Sequence, residues 1–161
     1  EPGKIEAEFG QMSTETFVKK FLTIRDPTQI HISKEKGYVA GDAPVSLPPW
    51  LSEEDIEYFA NKLDKTGFSG GLNYYRALHL NWELSSAWRG GKVMVPSKFV
   101  IGDLDLTYHM SGMKEYIHDG GFVKDVPLLE QVVVMEGAAH FINQEKPDEI
   151  NHHIFQFLQK F

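Results

Sequence analysis

The sequence predicts an α/β fold in two unequal parts, and three observations carry that prediction. Two apolar runs, Val93 to Ile101 and Leu128 to Met135, are each followed by a turn and a helical pattern, a βαβα order. Their near-continuous apolar character is that of strands covered on both faces, which belong to parallel sheets. Before Gly90-Gly91 the chain reads instead as helices and loops rich in aromatic residues, with no internal repeat.

Ile5, Phe9, Met12, Phe17, Phe21, Leu22 and Ile24 approximate helical spacing, interrupted near Gly10, and Ser13 or Thr14 can cap a second helix that Arg25-Asp26-Pro27 ends. From Thr28 to Pro49, Gly37, Gly41, Pro44, Pro48 and Pro49 punctuate a stretch without a period. A long irregular connection is expected there, of the kind found in lids and binding surfaces. Ser52-Glu53-Glu54-Asp55 is a capping box in its Asp form, with acids at the positive end of a helix through Ile56, Phe59, Ala60 and Leu63. Gly67 stops it. A further helix opening at Gly70-Gly71 carries Tyr75, Leu78 and Trp82 at spacings of three and four. Between the strands, a helix containing Lys114 to His118 ends at Asp119-Gly120-Gly121. The last helix, Asp148 to Phe161, places Ile150, Ile154, Phe157, Leu158 and Phe161 on one face, which is expected to pack on the sheet.

Composition narrows the function. The chain has 161 residues, 42% of them hydrophobic, enough for one modest core. A net charge of −7 without a basic run argues against a nucleic-acid partner or an anionic membrane surface. No apolar stretch approaches a membrane span, and no basic start precedes a hydrophobic signal segment. Zero cysteines exclude a disulfide framework, a thiol nucleophile and a Cys-type zinc site, and they are compatible with the cytoplasmic residence expected here. Glu1-Pro2-Gly3-Lys4 reads as a turn entering a helix rather than a translational start, so the chain is expected to be cut from something longer.

The candidate chemistry lies where the strands end. Gly102-Asp103-Leu104-Asp105 and Gly137-Ala138-Ala139-His140 each put a titratable residue beyond the carboxyl end of a strand, where open α/β sheets keep their sites. The right-handed crossover rule makes the two strands parallel and brings both residues to one sheet edge. An acid followed in chain order by a histidine supplies two of the three members of a hydrolytic triad: His140 as base, Asp105 as the carboxylate that fixes its tautomer. The plainer alternative is that Asp105 caps the following helix and His140 is a polar loop residue. Asp103, directly after the strand glycine, reads as a turn residue.

Other motifs carry less. Gly67-Phe68-Ser69-Gly70-Gly71 matches the G-x-S-x-G nucleophile elbow, and Ser69, Asp105, His140 is the chain order of such a triad, but a charged helix end rather than a strand precedes it. Tyr74-Tyr75 fits a core or rim pair; a phenol there can also donate a hydrogen bond to a developing alkoxide. His152-His153 and the His109, His118 pair lack metal-ligand spacing, and no glycine-rich phosphate cradle follows a strand, so neither a metal nor a dinucleotide is expected.

Gly71-Leu72-Asn73-Tyr74-Tyr75-Arg76, Leu80-Asn81-Trp82-Glu83-Leu84, Gly102 to Tyr108, Lys114-Glu115-Tyr116-Ile117-His118 and Glu136 to Phe141 together resemble the plant soluble epoxide hydrolases of the α/β-hydrolase superfamily, in register over the whole chain. The resemblance implies a helical lid over residues 1–86 and the C-terminal part of the hydrolase core over 87–161. It implies Tyr75 as a lid tyrosine on the epoxide oxygen, Asp105 as triad acid and His140 as general base, with no cofactor. The family's nucleophilic aspartate, its H-G-x-P oxyanion loop and its second lid tyrosine are not among these residues. The partners implied are therefore a small epoxide, fatty-acid or aryl, and the N-terminal half of the same enzyme, without which the 161 residues are expected to be inactive. Two rivals remain: a serine esterase using Ser69, and a hydrolase relative that binds a ligand without turning it over.

Overall fold

The computed structural model describes residues 1–26 and 45–161. The irregular connection expected over Thr28 to Pro49 lies outside them up to Pro44. The described residues form two compact units, one of 1–23 and 45–89, the other of 24–26 and 90–161.

The first unit is helical. α1 (Lys4–Phe9) and α2 (Thr14–Leu22) are separated at Gly10, and Ser13, not Thr14, is the cap, its Oγ accepting from Thr16 N–H at 3.2 Å. α3 (Glu53–Thr66) starts with the expected reciprocal box: Asp55 N–H donates to Ser52 Oγ at 3.1 Å and Ser52 N–H to Asp55 Oδ2 at 2.9 Å. Phe17 and Val18 of α2 and Ile56 of α3 bury together with Leu51, and Phe9, Phe59, Leu63 and Phe68 close around them. Aromatic edges set the geometry, with Phe68 edge-on to Phe17 at 4.7 Å between centroids.

The single helix expected to carry Tyr75, Leu78 and Trp82 is two, α4 (Ser69–Arg76) and α5 (Leu78–Leu84), parted at Ala77, whose ψ of −1° lies off the α-helical value. The apolar residues that suggested one axis stay exposed, so no buried surface holds the two pieces in line. A 3-10 turn, Ser86–Trp88, follows.

The second unit is a two-stranded parallel sheet with helices on both faces. β1 (Ser97–Gly102) pairs with β2 (Leu129–Met135) so that Phe99 meets Val132 and Gly102 meets Met135. β1 begins later than the apolar run, because Pro96 has no N–H for a ladder and Val93 to Val95 are exposed. Between the strands run a 3-10 turn (Leu106–His109), α6 (Met113–His118) and α7 (Gly121–Asp125); after β2 come α8 (Ile142–Glu145) and α9 (Pro147–Leu158).

Strand alternation divides the core. Phe99, Ile101 and Val132 pack with Tyr108, Met113 and Ile117 on one face; Val100, Val133 and Met135 pack with Ala138, Ile142 and Ile150 on the other. Of the face expected to pack on the sheet, Ile150 is buried and Phe157 half-buried, whereas Ile154, Leu158 and Phe161 are exposed.

Candidate active site

The ends of the two strands are knitted together by backbone. Asp103 N–H donates to Met135 O at 3.0 Å and Leu104 N–H to Ala138 O at 2.9 Å, which draws the loop after β2 over the end of β1. Gly102 permits this approach: a Cβ there would collide with the carbonyl oxygens of Ala138 and Ala139.

Asp105 follows one turn later and is buried, 6% exposed. Its Oδ1 accepts from Thr107 N–H and Thr107 Oγ–H, both at 2.7 Å, and its Oδ2 lies 3.0 Å from His140 Nδ1. The two readings of Asp105 are thus compatible: one oxygen caps the 3-10 turn while the other holds the imidazole. In a neutral imidazole, a carboxylate at Nδ1 selects the tautomer with the proton on that nitrogen and the lone pair on Nε2. The His140 side chain is 57% exposed, so its ring reaches outward from a buried anchor. Asp103 is a brace, its Oδ1 accepting from Ala138 N–H at 3.3 Å and its carbonyl oxygen lying 2.6 Å from His109 Nε2.

Two residues that sequence reasoning did not single out act on the same loop. Glu145 accepts from Ala139 N–H at 2.9 Å and Phe141 N–H at 3.1 Å, and Arg25 donates to Glu145 Oε2 at 2.8 Å and to Gly137 O at 2.5 Å. In the sequence, Arg25 marked only a helix end, and nothing pointed to Glu145.

Tyr75 lies in the other unit, on α4, and is 75% exposed. Its helix is fastened through the residues on either side: Glu6 accepts from Arg76 at 2.7 Å and from Ser69 Oγ–H at 2.9 Å. That hydrogen bond to Arg76, reinforced by a backbone donor and Ser69, holds the Glu6 carboxyl down at about 2. Ser69 itself stands in the first turn of α4, preceded by α3 and Gly67, so the strand that a nucleophile elbow requires is not there. Among the described residues no cluster of metal-ligating side chains is assembled, and burial, followed by the charge of Lys98 3.2 Å away, lowers the pKa of His153.

No protein-family model matches the chain. Epoxide hydrolases 2 and 1 of Siraitia grosvenorii are each 60% identical to it over 161 residues, covering 100% of this chain and 51% of their own length. Over its whole length the chain is homologous to plant epoxide hydrolases. The solved structure of epoxide hydrolase I from potato (Solanum tuberosum) superposes with a TM-score of 0.90 at 58% identity, over 100% of this chain and 51% of that one. Similarity extends at 32% identity to bifunctional epoxide hydrolase 2 of Mus musculus, over 99% of this chain and 28% of that protein. The α/β-hydrolase fold expected from the resemblance is the fold these relatives share with it. The chain spans about half the length of the plant epoxide hydrolases it matches. No helix among the described residues is long and apolar enough to cross a membrane.

Proposed function

We propose that this chain is the lid and the C-terminal catalytic part of an epoxide hydrolase, converting a small epoxide to a vicinal diol together with an N-terminal half that carries the nucleophilic aspartate. The observation that supports this most is the 3.0 Å pair of buried Asp105 and outward-facing His140 at the carboxyl ends of adjacent parallel strands, in a chain with these relatives.

The aspartate opens the strained ring, forming an alkyl-enzyme ester while the C–O bond breaks to an alkoxide. The Tyr75 phenol, with a second tyrosine from the other half, donates to that oxygen and lowers the cost of its charge. His140 Nε2 then takes a proton from water as it attacks the ester carbonyl, and Asp105 stabilises the imidazolium through Nδ1. The ester C–O bond breaks, the imidazolium proton and the second proton of the water pass to the two alkoxide oxygens, and the diol leaves with the aspartate regenerated as carboxylate and His140 as neutral imidazole. Residues 1–86 are the lid in this reading and 87–161 the core. The exposed Val93, Met94, Val95, Ile154, Leu158 and Phe161 would be covered by the N-terminal half. The zero cysteines suit a cytoplasmic enzyme.

The test uses the polypeptide containing both halves. Epoxide-to-diol turnover is expected, and His140→Gln is expected to trap the alkyl-enzyme ester, visible by intact mass, with turnover reduced at least ~1000-fold as for loss of a triad base. Ligand binding without turnover in the parent would instead mark a non-catalytic relative, and labelling of Ser69 by a phosphonate probe a serine esterase.

A further inference from the structure

We infer that Glu145 and Arg25 form a clamp that positions His140, so that the two are positioning residues for the ester-hydrolysis step. The inference rests on the assignment of His140 as base given above. The Glu145 carboxylate does not touch the imidazole. It accepts the peptide N–H groups on either side of His140, Ala139 through Oε2 and Phe141 through Oε1, so both peptides flanking the histidine are tied to one rigid group. Arg25 spans the same loop from outside, one guanidinium nitrogen on Glu145 Oε2 and the other on Gly137 O. One hydrogen bond thus joins Arg25 to Glu145, and three more converge on residues 137–141, where the chain passes through the left-handed conformation at Gly137, φ +65°, and has no strand ladder to hold it.

Burial makes this more than a surface ion pair. The Glu145 side chain is 2% exposed, and a carboxylate so enclosed must be matched by donors and a countercharge. Arg25 supplies the charge, and its fork geometry lets one side chain serve both the carboxylate and the Gly137 carbonyl, which a point-charge lysine serves less well. The exposed His140 ring has Asp105 as its side-chain anchor, so its aim depends equally on where the backbone holds its Cα. A misplacement of ~1 Å in a reacting group costs on the order of 100-fold in rate.

Single-turnover measurements on the two-half polypeptide separate formation of the alkyl-enzyme ester from its hydrolysis. Glu145→Gln preserves the shape but leaves one oxygen for two N–H donors and removes the charge opposite Arg25. It is expected to slow ester hydrolysis by ~10- to 100-fold while ester formation stays within about twofold, and to shift or broaden the downfield proton resonance of His140 Nδ1–H. Arg25→Lys, a milder change at a partly exposed position, should give the same selective slowing to a lesser degree, and it carries the test if Glu145→Gln fails to fold. The inference is overturned if the variants hydrolyse the ester at the parental rate, or if both steps fall together with the amount of folded protein. His140→Gln run in parallel separates the two failures. Persistent ester hydrolysis there sinks the base assignment, and the clamp with it; loss there, with Glu145 and Arg25 variants behaving as the parent, sinks the clamp alone.

Discussion

The carboxylate-histidine edge and the tyrosine helix are built in opposite ways. Asp105 is buried, each of its oxygens has a partner, and the loop bearing His140 is tied by backbone to β1 and by side chains to Glu145 and Arg25. Tyr75 stands three-quarters exposed on a short helix among other exposed aromatic residues, Tyr74, Trp82 and Trp88. The first region is held together by this chain's own residues; the second presents an aromatic face without burying it. The proposed reaction divides along the same line. Activating water requires a histidine aimed within the C-terminal part, whereas opening the ring requires phenols and a nucleophile gathered from both halves.

The largest effect is expected where the first region is most tightly closed. Gly102→Ala would drive a methyl into the carbonyl oxygens of Ala138 and Ala139. Those are backbone atoms, so no rotamer change relieves the clash, and the cost should reach or exceed the ~3 kcal/mol upper end of ordinary overpacking. The loop must lift from β1, taking His140 from Asp105. Chemical denaturation of the two-half polypeptide should show that loss together with a collapse of ester hydrolysis; parental stability in the variant would mean that the close approach is not what joins the strand ends.

Tyr75→Phe probes the second region. The phenol is exposed, so removing its oxygen should leave stability within about 0.5 kcal/mol, as for surface substitutions generally. Ring opening should slow by about 10- to 100-fold, toward the low end for loss of one oxyanion donor because a second tyrosine shares the load. Ester hydrolysis should stay near the parental rate. The Glu145 and Arg25 variants are expected to show the reverse pattern, and stopped-flow measurements of both steps on the three proteins would break the division proposed here if the patterns coincide.

What could be read from the sequence follows the range of the interactions. The capping box at Ser52 and Asp55 lies within one helical turn, and the β1 and β2 runs announce themselves by composition, so both were legible. The juxtaposition of Asp105 and His140 is 35 residues long in sequence, yet it follows from two strands and the handedness of one crossover. Arg25 to Glu145 spans 120 residues and obeys no such rule, since nothing local distinguishes an arginine that clamps a distant loop from one that ends a helix. The broken helix at Ala77 and the exposed end of α9 have a common cause. Apolar periodicity reports a face that could be buried, and these faces have too little described surface opposite them to hold or cover them.

The smallest effect concerns how the tyrosine helix is fastened. Ser69 and Arg76, seven residues apart on one side of α4, both bond to Glu6 of α1, so a single carboxylate ties the helix that carries Tyr75. Because the folded state holds the Glu6 carboxyl at about 2, below its ordinary value of 4.5, folding favours the ionised form. Its contribution is therefore complete above about pH 4.5 and is lost as pH falls through about 2. Arg76→Met removes the largest cause of the shift, and the Glu6 titration should move back toward 4.5. Carbon-detected NMR of the carboxyl would follow it; a parental midpoint already near 4.5 would mean that the tie does not form in solution. The Glu6 side chain is partly open to solvent, so screening keeps the gain small. Its consequence is one of aim: with the tie broken, Arg76→Met should reproduce a fraction of the ring-opening defect of Tyr75→Phe while sparing ester hydrolysis, which would place the fastening of α4 on the tyrosine side of the division.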